Sequence, residues 1–595
     1  MIYTMTLITQ LTTLENSGLI RLISAQPSVD YLFRHALIQE AAYRSLTKGD
    51  RTELHRVVGN TIEQLYPDRL AAPDLAARLA QHFHQAGEAD RALHYYALAG
   101  EAAYQSFANL EAIEHYSHAI KIAAHSPTLT GSAQLTQFYL RRGRALEQSG
   151  HYERARANYE EMEQTAQQRG DRSMELAALI ANTTIHVAPT SLRNAEIGQS
   201  LSTRALTLAR ELTDRAAQAK IFWNLVLLHR HLGDVDLSIE YGEQSIALAR
   251  ELNLREQLAF TLNDLLPSYW FKGQNAKGDA ALAEAIQIFR SENNLPMLAD
   301  NLSSQSMFHF MHGQYAAALT VSDEAYALSK SIGNLWNQSY SRFLTGYIYL
   351  EYGEPDRAIE IMLGSIEAGA QAGFAFALVQ TQTDLGFTYA QLGDYARAED
   401  LGRRALADTE RLLPDSVSYP CGLLAYVSFQ NGQLIEAQHY LAKAQVSDQP
   451  NEANIIGFVG WLADFEISMA NRTFEHVIET ADRALSMMNG LDFRPFRSDV
   501  LRFKGLALLA QNKIDAAQEV LQQARQAAAD IGSRRSLWLS LMALSDFEAQ
   551  RGHIDQAAAL RAQAREIVEY FLDHISDPKL RKSFLSLPTV RATGV

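Results

Sequence analysis

The sequence predicts an all-α solenoid of stacked helical hairpins, and three observations lead to that fold class. A glycine-centred turn recurs at a period of about 40 residues, beginning at Gly233 and continuing as far as Gly552. Apolar side chains precede the turns at helical spacing, as at Leu225 and Leu228. Small residues follow the turns at fixed distances. A fixed period of this length is typical of stacked supersecondary units rather than of one globular core.

The turn itself is expected to join the two helices of each hairpin. Glycine suits a helix C-terminus, where a residue in the left-handed conformation ends the helix. Acidic residues such as Asp394 then favour the N-terminus of the second helix. The predicted turn positions are Gly233, Gly273, Gly313, Gly353, Gly393, Gly432, Asn471, Asn512 and Gly552.

The small residues lie five and twelve positions after the glycine. Two small side chains on one helix face let a partner helix approach closely, so this face is expected to contact the first helix of the hairpin. The pairs are Ala318 and Ala325, Ala358 and Ser365, Ala398 and Ala405, Ala437 and Ala444, Ala517 and Ala524, and Ala557 and Ala564.

The hairpin resembles the tetratricopeptide repeat. The Gly-x-Tyr-x-x-Ala segment of that family stands here as Gly313-Gln-Tyr315-Ala-Ala-Ala318 and as Gly393-Asp-Tyr395-Ala-Arg-Ala398. The family period is about 34 residues, so the longer period here adds about three residues to each helix. The resemblance implies a right-handed superhelical solenoid, with irregular first repeats over 81–190 and regular repeats over 191–570. Extended-helix variants of this family occur in bacterial signalling proteins.

The N-terminal segment, residues 1–80, departs from the repeat pattern. It is interpreted as a helix, a short strand, a polar turn, a second strand and further helices. The string Phe33-Arg-His35-Ala-Leu-Ile-Gln-Glu40, with Tyr43 behind it, resembles the winged-helix segment that closes the ATPase module of bacterial signal-transducing ATPases and of adenylate–guanylate cyclase-like multidomain proteins. In that family a histidine at the position of His35 senses nucleotide phosphates.

The phosphate-binding loop of those ATPases has no counterpart here. No Gly-x-x-x-x-Gly-Lys-[Ser/Thr] string occurs in the sequence, and this loop is what cradles the phosphates. His35 is therefore interpreted as a structural residue, and the chain as the C-terminal part of a longer signalling protein without its ATPase and cyclase modules. Residues 571–595 are expected to form a C-terminal cap, with Leu580, Phe584 and Leu587 covering the last repeat.

Composition excludes several classes of function. The formal net charge is −15, which argues against a nucleic-acid surface. The single cysteine, Cys421, is expected to be a small buried hydrophobe. No catalytic motif is found, and histidines such as His309 and His312 are not interpreted as metal ligands. The sequence therefore predicts a cytoplasmic, non-enzymatic protein with no cofactor, no metal and no membrane segment.

The concave groove is the candidate binding site, because the first helix of each hairpin lines the inner surface in this architecture. Aromatic side chains ordered along a concave surface suit a peptide or a small ligand, although they also fill gaps between repeats. The predicted contacts are Trp223, Arg230, Asn263, Trp270, Met307, Phe310, Phe343, Tyr347, Phe387, Tyr426, Phe429, Trp461 and Phe465.

The predicted function is a protein- or ligand-binding scaffold that forms the sensor part of a bacterial signalling system. Its partner would be a protein or peptide, or a small-molecule effector, in the groove, together with an ATPase module supplied by another chain. Two alternatives stay open. The chain could share the activity of an ATP-binding cyclase-type protein, or it could act as a transcriptional regulator of the repeat-bearing ATPase type.

Overall fold

The computed structural model describes residues 2–24, 30–413, 416–444 and 458–595. These residues form two compact units, Met1–Ala145 and Leu146–Val595, each of which is described by itself below. The predicted division at residues 80, 190 and 570 concerns the regularity of the repeats and stays a prediction.

Unit 1, Met1–Ala145, begins with a helix, two antiparallel strands and a second helix, which is the order that the sequence predicts. Ile20 of the first strand pairs with Phe33 of the second. The predicted polar turn between the strands falls on residues 25–29, outside the described residues. The elements are α1 (Ile2–Asn16), β1 (Ile20–Ser24), β2 (Asp30–Phe33), α2 (Ala36–Ser45), α3 (Lys48–Leu65), α4 (Pro73–Gln85), α5 (Ala89–Gln105), α6 (Asn109–His125) and α7 (Ser132–Gln148), the last of which ends in unit 2.

Unit 2, Leu146–Val595, is helical throughout its described residues, and its helices form successive hairpins, two of which have a first helix broken into two segments. They are α8 (Tyr152–Arg169), α9 (Arg172–Val187), α10 (Ala195–Glu211), α11 (Arg215–His231), α12 (Val235–Glu251), α13 (Arg255–Asp264), α14 (Leu266–Phe271), α15 (Asn275–Ser291), α16 (Leu295–Met311), α17 (Tyr315–Ser331), α18 (Leu335–Tyr340), α19 (Thr345–Tyr352), α20 (Pro355–Ala372), α21 (Ala375–Gln391), α22 (Tyr395–Leu412), α23 (Ser418–Gln430), α24 (Leu434–Ala444), α25 (Phe458–Ala470), α26 (Phe474–Leu491), α27 (Arg497–Ala510), α28 (Ile514–Asp530), α29 (Arg534–Gln550), α30 (Ile554–Asp573), α31 (Pro578–Ser586) and α32 (Pro588–Arg591). The predicted all-α solenoid of tetratricopeptide-like hairpins is confirmed.

The turn within each hairpin has the expected left-handed residue. Gly233 has φ +79°, Gly393 has φ +77° and Gly552 has φ +81°. One predicted position is wrong by a residue, because the left-handed residue of the seventh turn is Arg472, at φ +60°, rather than Asn471. With Arg472 in place, the turn positions from Gly432 through Asn512 to Gly552 are evenly spaced.

A second left-handed turn, between one hairpin and the next, repeats with the same period. Thr213, Asn253, Asn293, Gly333 and Gly373 follow one another at the interval of the hairpin turns, and all have φ between +53° and +66°. The sequence interpretation missed this series because only two of its members are glycine. Asparagine tolerates the left-handed region better than most residues, so the recurring Asn-or-Gly position is the signal that was available.

The small residues pack where the hairpin helices meet. Ala318, Ala398 and Ala517 have no exposed surface. Serines of one helix also reach a backbone carbonyl of its partner across this contact, as Ser306 Oγ does by donating to Ala318 O at 2.8 Å. Ser545 Oγ donates to Ala557 O in the same relative position, at 2.9 Å. Close approach of the two helices is therefore a repeated feature of the hairpin, and serine hydroxyls form hydrogen bonds across the contact.

Unit 2 also contacts itself over long sequence separations. Asn275 Nδ2 donates to Leu491 O across 216 residues. Ser576 N donates to Asp356 Oδ2 across 220 residues, and Arg397 donates to Asp577 across 180 residues. At about 40 residues per repeat, these separations correspond to about five hairpins. The solenoid thus coils until later hairpins rest on earlier ones, along a contact that is called the seam below.

Candidate functional site on the inner face of the repeats

Most of the predicted groove residues lie inside the core of unit 2. Nine of the thirteen have no more than 9% of their surface exposed: Trp223, Asn263, Trp270, Phe310, Phe343, Tyr347, Phe387, Tyr426 and Phe465. The other four are partly exposed: Arg230, Met307, Phe429 and Trp461. Their role as ligand contacts stays a prediction, and only the partly exposed side chains are open to a ligand without rearrangement of their neighbours.

The burial has a specific cause, because later hairpins cover part of the inner face. The ring of Phe493 lies 6.1 Å from that of Trp270, and the ring of Phe496 lies 5.1 Å from that of Tyr347. Arg494 N, between the two, donates a hydrogen bond to Met311 O at 3.0 Å. The linker between α26 and α27 therefore occupies the inner face beside α14 and α19.

A buried ion cluster closes the same region. Arg535, 2% exposed, donates to Glu351 at 2.5 Å and to Asp499 at 2.6 Å. It also donates to the hydroxyl of Tyr347 at 3.3 Å. Burial opposes ionisation of Asp499, but the charges of Arg535 and Arg502 outweigh it and hold the pKa of that carboxyl below its usual value. This cluster ties α19 to α27 and α29 across the seam.

The inner face is open nearer to its N-terminal end, over α11, α13, α16 and α18. Its partly exposed side chains are mixed in character, with acids, a guanidinium group, aromatic rings and a methionine. We define the open inner stretch by six of them: Arg230, Phe260, Asp264, Asp300, Met307 and Tyr340.

Two broken helices shape this stretch. Pro267 has no N–H with which to continue the helix, and α13 ends at Asp264 before α14 begins. The carbonyl of Asp264 accepts from Arg230 at 3.0 Å. In the next hairpin but one, α18 ends at Tyr340 and α19 begins only at Thr345. Asp264 and Tyr340 are thus the last residues of helix segments. The breaks in the helices set the direction of these two side chains.

Hydrogen bonds hold the polar groups of the stretch. Trp223 Nε1 donates to Asp264 Oδ2 at 2.7 Å, and Asn263 Nδ2 lies 3.3 Å from Asp264 Oδ1. The hydroxyls of Ser304 and Tyr340 are 3.2 Å apart. Asn263 Oδ1 and Trp270 Nε1 are among the buried side-chain atoms that have no partner among the described residues. An unpaired buried polar atom costs free energy.

Burial and nearby charged groups act on the ionisable side chains of the stretch. Burial raises the pKa of the Tyr340 hydroxyl, and the negative charge of Asp300 raises it further, while Arg230 and Asp264 also act on it. Burial likewise raises the pKa of Asp264, against the opposing effects of Arg230, Trp223 and Asn263. Side chains from four helices therefore converge on one partly enclosed region.

The sequence interpretation missed three carboxyl groups of the inner face, Asp264, Asp300 and Asp384. It considered positions three, six and ten residues before the glycine, whereas Asp264 and Asp384 stand nine before and Asp300 stands thirteen before. A carboxyl group within an apolar stretch, as in Leu262-Asn-Asp264-Leu-Leu266, was the signal that could have found them.

Other chemically reactive groups form no catalytic arrangement within the described residues. His476 Nε2 contacts both oxygens of Asp464, at 3.0 and 3.2 Å, but the nearby Ser468 hydroxyl donates to Asp464 rather than to the histidine. Cys421 is fully buried, and burial raises the pKa of its thiol to about 11. In the same part of the chain, no three His, Cys, Asp or Glu side chains are arranged to hold a metal ion, and no helix could cross a membrane.

Comparisons with known proteins give a tetratricopeptide repeat model that matches residues 136–162. These residues fall on α7 and α8. A search of curated protein sequences finds no match.

Solved structures resemble the chain at low sequence identity. The APC/C hetero-tetramer Cut9–Hcn1 matches with 13% identity and a TM-score of 0.47, covering 93% of this chain and 98% of that one. A signal transduction ATPase with numerous domains and a tetratricopeptide repeat sensor, from Pyrococcus horikoshii, matches with 14% identity and a TM-score of 0.36, covering 73% of this chain and 57% of that one. A Rap protein complexed with competence and sporulation factor matches with 11% identity and a TM-score of 0.34, covering 74% and 99%.

Proposed function

We propose that unit 2 is a non-enzymatic binding scaffold whose open inner stretch holds a peptide segment of a partner protein. The observation that carries the proposal is the convergence of partly exposed side chains from α11, α13, α16 and α18 on one face, next to inner positions that the chain covers itself. Successive repeats present their first helices side by side, so one extended segment can contact several of them.

The chemistry of the stretch favours a peptide over an apolar ligand. Binding surfaces combine apolar and aromatic contact area with a few polar groups that fix orientation. Phe260, Met307 and Tyr340 supply the area, while Asp264 supplies a polar group that a peptide amide or side chain could contact.

The binding is tested with a random dodecapeptide library selected on the intact chain. Selected peptides are then measured against two variants of matched chemistry. Met307→Trp places a bulky ring in the open inner stretch, and Leu363→Trp places the same ring on α20, where Leu363 is 51% exposed. We expect Met307→Trp to lose binding by about tenfold or more and Leu363→Trp to bind as the parent does. Equal affinities of both variants would contradict the proposal.

We assign this binding a regulatory role in a signalling system, with an ATPase supplied by another chain. The order of α1, β1, β2 and α2 and the string from Phe33 to Tyr43 support that placement. The docking surface would include Leu37, which is 82% exposed on α2. Affinity capture with the parent chain should retain an ATPase that a folded Leu37→Asp variant does not retain, and recovery of the same proteins by both would contradict the assignment.

A further inference from the structure

The linker between α26 and α27 differs from the regular linkers in length and in backbone conformation. It covers residues 492–496, called the strap below, whereas the linkers at 252–254 and 531–533 have three residues each. Besides the left-handed residue that recurs between hairpins, the strap contains a second one, Phe496, at φ +65°. Pro495 disfavours the helical conformation of the residue before it, which delays the start of α27. A bulky residue at positive φ is strained, so its surroundings must hold it there.

The strap lies across three earlier hairpins on the inner face. The ring of Phe493 lies 6.1 Å from that of Trp270 on α14, and the ring of Phe496 lies 5.1 Å from that of Tyr347 on α19. Between them, the backbone N–H of Arg494 donates to the carbonyl of the last residue of α16 at 3.0 Å. Aromatic contacts and a main-chain hydrogen bond therefore attach the strap to first helices that precede it by several repeats.

The side chains of the strap alternate between buried and exposed. Phe493 and Pro495 are buried, whereas the side chains of Asp492 and Arg494 are 48% and 53% exposed. Arg494 Nε also donates to Asp492 Oδ1 at 3.1 Å. An extended peptide presents alternate side chains to the surface that binds it, while main-chain hydrogen bonds contribute affinity. The strap thus contacts the early hairpins in the manner of a bound peptide.

We propose that Trp270, Tyr347 and the end of α16 form a peptide-binding site that the strap occupies as an internal ligand, and that a partner segment with the pattern aromatic-x-Pro-aromatic displaces the strap. This site is separate from the open inner stretch, so the inference goes beyond the proposed function and does not depend on it. Aromatic side chains provide a large contact area with preferred ring geometries. A partner segment with the same spacing reproduces these contacts, and it has no need of the left-handed residue that strains the strap.

The strap competes with any partner segment because it is part of the same chain. A short tether keeps the local concentration of an internal ligand on the order of millimolar. A free peptide therefore binds only those molecules of the parent chain whose strap has left the site, and its apparent affinity is reduced by that fraction. Removing the rings of Phe493 and Phe496 should vacate the site and raise the affinity for the free peptide.

The test uses a fluorescein-labelled octapeptide, Leu-Asp-Phe-Arg-Pro-Phe-Arg-Ser, which has the sequence of residues 491–498. It is titrated by fluorescence anisotropy with the intact parent chain and with the double variant Phe493→Ala/Phe496→Gly. An isomeric peptide with adjacent phenylalanines, Leu-Asp-Arg-Phe-Phe-Pro-Arg-Ser, tests the spacing. Phe374→Ala is the matched control, because Phe374 is also a linker residue and 3% exposed, but its ring stacks on that of Trp336 in the preceding hairpin, at 3.7 Å.

We expect the octapeptide to bind the double variant about tenfold or more tightly than it binds the parent or Phe374→Ala, and the isomeric peptide to show no such gain. Equal affinities of the double variant and the parent would overturn the internal-ligand inference. An equal gain in Phe374→Ala would assign the effect to a loosened fold, and an equal gain for the isomeric peptide would remove the aromatic spacing; either result overturns the proposal.

Circular dichroism establishes that each variant is folded, and Phe496→Gly alone carries the test if the double variant does not fold. Phe496→Gly also relieves the strained conformation at that position. If neither variant folds, the strap is a fixed part of the core and the proposal is overturned. The proposed function is decided separately, by the loss of library peptides on Met307→Trp.

Discussion

At the scale of single residues, the inner face carries a buried acid whose hydrogen bonds come from a neutral amide. Asp384 is 7% exposed, and Gln380 Nε2 donates to its two oxygens at 3.0 and 3.1 Å from one helical turn away. The other end of that amide, Gln380 Oε1, is buried and has no partner among the described residues. Burial raises the pKa of Asp384 from 3.8 to about 7, against the hydrogen bonds of Gln380.

A neutral residue at position 384 should therefore stabilise the fold at high pH. Between about pH 4 and 7 the unfolded chain releases the Asp384 proton while the folded chain keeps it, so folding stability falls as the pH rises through this range. In Asp384→Asn, the new amide group can donate to Gln380 Oε1. We expect the variant to be about 1–3 kcal/mol more stable than the parent at pH 8 in urea denaturation, with the difference shrinking towards pH 4.

Asp400→Asn on α22 is the control, because the side chain of Asp400 is 59% exposed beside Arg404 and its substitution should have little effect. Lower stability of Asp384→Asn than of the parent at pH 8 would contradict this prediction, because it would mean that the folded chain stabilises the Asp384 carboxylate.

At the scale of the element, the turn within the hairpin is the feature that repeats most faithfully. Glycine fills it in most repeats because an L-residue with a side chain pays about 1–2 kcal/mol in the left-handed region. Arg472 is an exception, since its φ is +60° and its side chain is exposed. Asn512 at φ +61° is a milder one, because asparagine visits this region more readily.

Restoring glycine at the exceptional turn should stabilise unit 2. Arg472→Gly relieves the backbone strain, partly offset by the greater freedom of glycine in the unfolded chain, so we expect a gain of about 1 kcal/mol in the free energy of unfolding. Arg472→Ala removes the same side chain without relieving the strain and serves as the control. A gain of equal size in both variants would assign the effect to the arginine side chain instead.

The sequence predicts the hairpin turns well and the exposure of the groove residues poorly, and the difference has a physical reason. The turns could be predicted because each depends on the residue that occupies it. The small residues of α17 and α22 could be predicted because they face the other helix of their own hairpin. Burial of Trp270 and Tyr347 could not be found in this way. Their covering rings, Phe493 and Phe496, lie several repeats further along the chain, and they arrive there through small rotations summed over those repeats.

At the scale of the whole molecule, the seam makes unit 2 more than a row of neighbours. In an open solenoid each repeat contacts only the next, and stability is the sum of nearest-neighbour contacts. Here Glu351 and Arg535 pair across the seam in the buried ion cluster, and the backbone N–H of Asp356 donates to His574 O at 3.3 Å. Early and late hairpins are thereby expected to stabilise each other.

Two glycines with the same turn conformation allow the effect of the seam on stability to be separated from the effect of the turn. Gly233 has φ +79° and Gly313 has φ +68°. A Cβ at Gly233 would meet no atom within 4 Å, whereas one at Gly313 would collide with the side chain of Ile531 across the seam. We expect Gly233→Ala to cost about 1–2 kcal/mol from backbone strain alone, and Gly313→Ala to cost about 1–3 kcal/mol more in chemical denaturation. Equal losses would mean that the seam does not form in solution.

The central claim, that the open inner stretch binds a peptide segment, is tested most directly by a crystal structure of the chain with a peptide from the library selection. We expect the peptide to lie against α11, α13, α16 and α18, in contact with Met307. A peptide bound on the outer helices, away from these four helices, would contradict the claim.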